Sequence, residues 1–495
     1  MNASVPKSIL NAAQTLWQVS QAWDDDIVQQ LSDYIAIPAK SPMFDADWVQ
    51  HGFIDSVVRN AAAWVEAQKV AGLTLEIIRL PGRTPLLFFE VAAAPGAGPV
   101  DPDRPASGQT VLMYGHLDKQ PEFTGWRSDL GPWTPKYEDG RLYGRGGADD
   151  GYAIYAAITA IQALKTQQAA HPRLVGLVET CEESGSYDLL PYIDALRERL
   201  GDVGLVICLD SGAGNYDQLW LTSSLRGMAS GTLKVEVLTE GVHSGDASGL
   251  VPSSFRILRH LLDRLEDSAS GRLLPTQFHC QVPADRLAQA QITAAILGDE
   301  LYQRFPWAHY DCGGASQTVL PTTTDPLQAL LNRTWTPTLS VTGAQGLPDL
   351  KDAGNVLRPF TAFKLSLRLP PLVDAAQAVQ QLKALLEASA PYQARVTFEG
   401  EASATGWNAP STAPWFEQAL NTASLDYFGA PCGYIGQGGT IPLINRLSNR
   451  FPKAQMMVCG VLGPKSNAHG PNEFLHVPYA KKLTAAVAQI IAQVP

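Results

Sequence analysis

Cysteine is scarce in this chain of 495 residues: six are present, with no CxxC pair among them. Cys181, Cys208, Cys280, Cys312, Cys432 and Cys459 are scattered along the sequence, which indicates neither a disulfide framework nor a thiolate zinc site. Charge is also sparse, at 17% of residues, and the positive sign is the rarer: 37 Lys and Arg against 48 Asp and Glu leave a net charge of −11. Without a run of basic residues, the chain lacks the electrostatic footprint of a nucleic-acid binder or of a protein drawn to anionic membranes. No apolar run reaches the length of a membrane span, and the opening segment MNASVPKSILNAAQTLWQVSQAWDDD has no apolar core suited to a secretion signal. The expectation is a soluble cytoplasmic protein. GxSxG, a P-loop lysine and HExxH are all missing, and Gly144-x-Gly146 is followed by Asp149 where a dinucleotide loop needs glycine. Serine-hydrolase, nucleotide-binding and single-zinc protease readings therefore lose their usual anchors.

The apolar content of 45% describes a well-buried globular protein, long enough for two or three domains. Up to about Leu225 helix-like and strand-like segments alternate, with uninterrupted apolar strands at Thr110–Tyr114, Leu174–Val178 and Leu205–Leu209 and a strong helix from Gly151 to Ala163. That pattern predicts an α/β domain whose mostly parallel sheet carries helices on both faces. Beyond it, Leu233, Val235 and Val237 alternate with polar residues, as do Phe363, Leu365, Leu367 and Leu369, and helices follow near Ser253 and Asp374. We read 226–400 as an inserted, smaller α+β domain, with a helical excursion over about 270–350, and 1–225 with 401–495 as the main domain. A Gly-rich loop is expected at Gly433–Gly439, before an apolar strand at Met456–Val458 and a closing helix from Ala480.

The chemistry gathers where strands of the main domain end. Thr110–Tyr114 runs into Gly115-His116-Leu117-Asp118, Leu174–Glu179 into Cys181-Glu182-Glu183-Ser184-Gly185, and Leu205–Leu209 into Asp210. Tyr143-Gly-Arg-Gly-Gly-Ala-Asp149-Asp150 adds two carboxylates at a helix start. In an open α/β sheet the carboxyl ends of strands form the ligand crevice, so His116, Asp118, Asp149, Glu182, Glu183 and Asp210 should converge there. Five carboxylates in one crevice repel one another and are costly to desolvate unless cations sit among them. No local Lys or Arg cluster supplies that charge, whereas divalent metal ions would. Nitrogen and oxygen donors without sulfur favour zinc, manganese or cobalt.

These motifs, with a late His469, resemble in order and spacing the dinuclear metallohydrolases that include carnosinase, aminoacylase, acetylornithine deacetylase and the glutamate-releasing carboxypeptidases. YGRG before Asp-Asp, EESGS, VHSG and SLRLP make the carnosinase-type dipeptidases the most similar subgroup. The resemblance spans nearly the whole chain. It implies two divalent ions, zinc first among them, with Asp149 bridging, His116 and Asp210 completing one site, and Glu183 and His469 the other. It also implies Glu182 as general base and Asp118 as the partner that orients His116. In the inserted domain, a lid and dimerisation domain by the same resemblance, His243 would reach a partner subunit's site in a homodimer and stabilise an oxyanion. Arg368 would clamp the substrate carboxylate, and Asn355 and Thr440 would add substrate contacts. Gly151-Tyr152 stands where the family often has Lys, and the neutral Gln437 where some members carry an acid. The activity implied is hydrolysis of dipeptides or short peptides with a free C-terminal carboxylate. The alternatives are deacylation of N-acyl amino acids at the same site and an inactive metal-binding scaffold.

Overall fold

The computed structural model describes residues 10–94, 110–312 and 315–495. They form two compact units. One contains the described residues up to Thr222 together with Ala409–Ile435 and Arg446–Pro495; the other contains Ser223–Asn408 and Gly436–Asn445.

The first unit is built on a six-stranded sheet in the order Leu73–Ile78, Leu86–Val91, Arg173–Glu179, Thr110–His116, Val203–Cys208, Gln455–Val458. The last four strands run parallel, and the first two are added antiparallel at one edge. Every residue of Thr110–His116 is buried, as expected of a central strand in a sheet covered on both faces. Phe89 and Gly176 face each other across the antiparallel junction, and a Cβ at Gly176 would lie 1.9 Å from the Phe89 ring. Only glycine leaves room for the ring there. The helix Tyr152–Thr166 is buried along most of its length and packs against the closing helix Val477–Ala492, so its apolar run reads as core rather than as one amphipathic stripe.

The second unit holds a four-stranded antiparallel sheet in the order Thr338–Gln345, Phe360–Leu369, Gly227–Glu236, Arg395–Ala404. Helices Ser254–Leu262 and Ala375–Glu387 pack on it through Ile257, Leu258, Leu261, Leu382 and Leu386, which join Leu233, Val235, Leu365 and Leu367 in one core. Ser253 and Asp374 cap these helices through their side-chain oxygens, which satisfies otherwise unpaired amides of the first turn.

Two expectations need correction. The stretch 270–350 is not simply helical: beside helices Ala284–Leu297 and Pro326–Thr334 it contains the paired strands His309–Cys312 and Ala315–Thr318, and Thr338–Gln345 is an edge strand of the four-stranded sheet. Its exposure from Ser340 onward explains why no buried alternation announces it. Gly433–Gln437, read as loop, is a strand beside Trp220–Leu225. Its glycines admit close neighbours: a Cβ at Gly433 would meet the Trp220 ring at 2.5 Å. Among the described residues no helix is long and apolar enough to cross a membrane.

Candidate metal centre

Three neighbouring parallel strands deliver the donors. His116 is the last residue of its strand and pairs in register with Glu179, the last residue of the next, so Glu182 and Glu183 follow just beyond. Asp210 lies two residues past the strand ending at Cys208 on the other side. Asp149 enters from the turn Gly147–Gly151 before the buried helix, joined to Asp150 by a cis peptide. His469 comes from the segment between Val458 and Phe474.

The side chains converge. Single donor atoms of His116, Asp149 and Glu183 lie within 4.8 Å of one another, as do those of His116, Glu182 and Asp210. His116 Nε2 is 3.6 Å from Asp149 Oδ1 and 3.9 Å from Asp210 Oδ2, while His469 Nε2 is 2.9 Å from Asp149 Oδ2 and 3.4 Å from Glu183 Oε2. Asp149 thus turns one oxygen to each histidine, the disposition a bridging carboxylate requires.

The hydrogen bonds show why a cation fits. His116 Nδ1 donates to the carbonyl oxygen of Asp118 at 3.1 Å. A carbonyl can only accept, so Nδ1 carries a proton and Nε2 points into the cluster. Nε2 is buried and has no hydrogen-bond partner among the described residues. A lone pair facing acceptor carboxylates is repelled unless a proton or metal ion lies between them. The electrostatics agree: burial, then Asp210, pushes Glu182 well above the ordinary carboxylate range, and burial, then Asp149 and Glu182, does the same to Glu183. Burial lifts Asp210 to about 7. Asp149 is opposed by burial too, but the neighbouring imidazoles of His116 and His469 hold it below its usual value. Dications among these groups would relieve that crowding.

Asp118 differs in detail from expectation. Its carboxylate lies 3.5 Å from His116 Nδ1 and accepts instead from the backbone amides of Glu182 and Glu183, at 3.1 and 3.0 Å. It ties the end of one strand to the Glu-Glu turn. Several groups beside the expected donors belong to the site. Gln120 donates to Glu183 at 2.5 Å. Asp150 is buried with neither carboxylate oxygen hydrogen-bonded. Arg145, buried against Glu473, also donates to the carbonyls of His469 and Gly470 at 3.1 and 2.9 Å, and so holds the segment carrying His469. Arg145 sat inside a quoted motif, but its partner, 328 residues away, gave no signal.

In the second unit the structure pairs the remaining candidates. His243 is exposed and faces Val356 across a short antiparallel ladder, while the amide of Ser244 donates to the carbonyl of Asn355 at 2.8 Å. Arg368 donates to the Thr440 hydroxyl at 3.0 Å.

Comparison with known proteins agrees with this geometry. Residues 112–493 match the model of peptidase family M20/M25/M40. The chain is 29% identical over 435 residues to a cysteinylglycine-S-conjugate dipeptidase of Corynebacterium striatum, covering 85% of this chain and 88% of that protein. It is 26% identical over 451 residues to the Beta-Ala-His dipeptidase of Mus musculus, covering 88% and 86%. The crystal structure of human carnosine dipeptidase 1 superposes with a TM-score of 0.71 at 20% identity over 98% of each chain, which shows a common fold. Family match, fold and converging donors together establish that the chain belongs to peptidase family M20/M25/M40 and is a metallopeptidase.

Proposed function

We propose that the chain is a two-metal dipeptidase that hydrolyses dipeptides or short peptides bearing a free C-terminal carboxylate. The observation that carries this reading is Asp149, whose two oxygens face His116 and His469, with Asp210 beside the first histidine and Glu183 beside the second. The relatives named as dipeptidases support the substrate class. His116, Asp149 and Asp210 would hold one ion and Asp149, Glu183 and His469 the other, with zinc, manganese or cobalt suited to the donors. When bound, such ions polarise the scissile carbonyl and acidify the attacking water.

The rest falls to the chain's own side chains. Glu182 accepts a proton from the attacking water and returns it to the leaving amine, its carboxylate lying within the same cluster as His116 and Asp210. Asp118 keeps His116 in the Nδ1-protonated form through its carbonyl and fixes the Glu182 backbone through its carboxylate. Arg368, braced by Thr440, offers a guanidinium to the substrate carboxylate. In this reading 223–408 acts as lid and dimerisation domain of a homodimer, and the exposed His243, next to Asn355, would serve the partner subunit's site. Five free cysteines among the described residues suit a reducing cytoplasm, and the negative net charge disfavours polyanionic partners. The test is a panel of dipeptides and N-acyl amino acids given to metal-reconstituted protein. Dipeptide cleavage is expected. Turnover of N-acyl amino acids alone would favour a deacylase, and no turnover with metals bound would favour a scaffold.

A further inference from the structure

The second unit gathers arginines that form no ion pair among the described residues. Arg226 donates through Nε to the carbonyl of Gly438 at 3.1 Å and through Nη1 to the Thr338 hydroxyl at 3.2 Å. Thr338 is the cross-strand partner of Arg368, and Arg368 in turn reaches Thr440. Arg333, in the last turn of the helix Pro326–Thr334, closes the other side: a Cβ on Gly438 would stand 3.1 Å from Arg333 Cγ and 3.3 Å from Arg226 Nη2. Arg304 lies at the exposed rim, just after the short helix Glu300–Gln303.

Among the described residues none of the four forms an ion pair with a carboxylate. Arg333 Nε is buried and has no hydrogen-bond partner. The carbonyl of Gln437 accepts from the Arg226 amide, and the residue itself brings no charge to the strand. Burial and the charge of Arg368 press Arg226 down to about 10, and burial with the charges of Arg304 and Arg226 presses Arg333 down to about 9. Unpaired, crowded guanidiniums are costly to bury, and a bound anion relieves that cost by bidentate pairing. One substrate carboxylate on Arg368 leaves Arg226 and Arg333 uncompensated.

We infer that this cluster selects substrates with two negative charges at their carboxy-terminal end: Arg368 takes the α-carboxylate, and Arg333 with Arg226 takes the side-chain carboxylate of a C-terminal aspartate or glutamate. The inference rests on the dipeptidase reading and narrows it.

The test compares isosteric pairs on the metal-loaded, full-length protein: alanyl-glutamate with alanyl-glutamine, and alanyl-aspartate with alanyl-asparagine. One additional charge-assisted contact corresponds to a preference in kcat/KM of about tenfold or more for the acidic member. In Arg333→Gln the glutamate-to-glutamine ratio should fall toward one, and in Arg333→Lys much of it should return. A variant that merely folds poorly loses both activities by the same factor and keeps the ratio; an unchanged ratio in Arg333→Gln overturns the assignment. Equal cleavage of acidic and amide members by the unaltered protein overturns the inference while leaving the dipeptidase reading intact, whereas failure to cleave any dipeptide removes both. A free anion is the other possible occupant: if inorganic phosphate raises alanyl-glutamine cleavage to the alanyl-glutamate level, the charge is not the substrate's and the inference fails.

Discussion

Replacing Arg145 by methionine should weaken the protein by two separable routes. Arg145 and Glu473 are 1% and 0% exposed, and the guanidinium also donates to the carbonyls of Pro121, His469 and Gly470. Removing one member of a buried ion pair leaves the other charge uncompensated, which typically costs about 3–5 kcal/mol. The same change releases the segment carrying His469, and loss of such a supporting hydrogen bond commonly lowers metal affinity by about 10–100-fold. A second substitution separates the two effects. In Arg145→Met/Glu473→Met the orphan carboxylate is gone; the Gly146 amide that Glu473 accepted from at 2.9 Å is newly unpaired, at about 1–3 kcal/mol, while the three carbonyls lose the guanidinium equally in both variants. The double variant should therefore regain roughly 2 kcal/mol over the single one, yet its metal affinity should stay low. Urea unfolding of the metal-free proteins gives the first quantity, and competition with a chelator of known affinity gives the second. A loss below about 1 kcal/mol in Arg145→Met, against the range expected for a buried pair, would mean that Arg145 does not stabilise the fold, and a double variant that binds metal like the unaltered protein would mean that it does not hold the His469 segment.

Two further substitutions probe the base and the sheet. Glu182→Gln should abolish dipeptide turnover while metal content, measured by elemental analysis, stays unchanged; retained turnover would remove Glu182 from its assigned role. Glu90 is held below its usual carboxylate range because hydrogen bonds from Arg199 and Arg173 outweigh the opposing effect of burial. Its stabilisation is thus present at neutral pH and lost as pH falls through the folded value. Glu90→Gln should lower stability by about 1 kcal/mol at pH 7, and that gap, followed by denaturant unfolding, should close as the pH drops below 4.5; a gap that persists in acid would mean the loss is packing rather than charge.

Much of the donor set was legible because strand ends place it next to recognisable apolar runs. Thr110–Tyr114, Leu174–Glu179 and Leu205–Leu209 announce themselves by composition, and the residues that follow them inherit the crevice. Glu473 and Gln120 could not be found that way. Their importance lies in contacts made by folding, with Arg145 at 328 and Glu183 at 63 residues' separation. The strand Thr338–Gln345 was hidden by its position at a sheet edge, where exposed small and polar residues suffice. Gly433–Gln437 misled for another reason: its glycines mark close approach to neighbours such as Trp220 rather than a turn. The arginine cluster was equally unreadable, since Arg226 in the link between two strands, Arg333 on a helix and Arg368 on a strand meet around Gly438, Thr338 and Thr440.

Metal titration of chelator-stripped protein counts the ions that activity requires. With zinc added stepwise and dipeptide hydrolysis followed at each point, activity should be absent at the start, rise with added metal and saturate at two equivalents per chain. Full activity before any metal is restored, or saturation at one equivalent, would contradict the assignment of two ions to His116, Asp149, Glu183, Asp210 and His469.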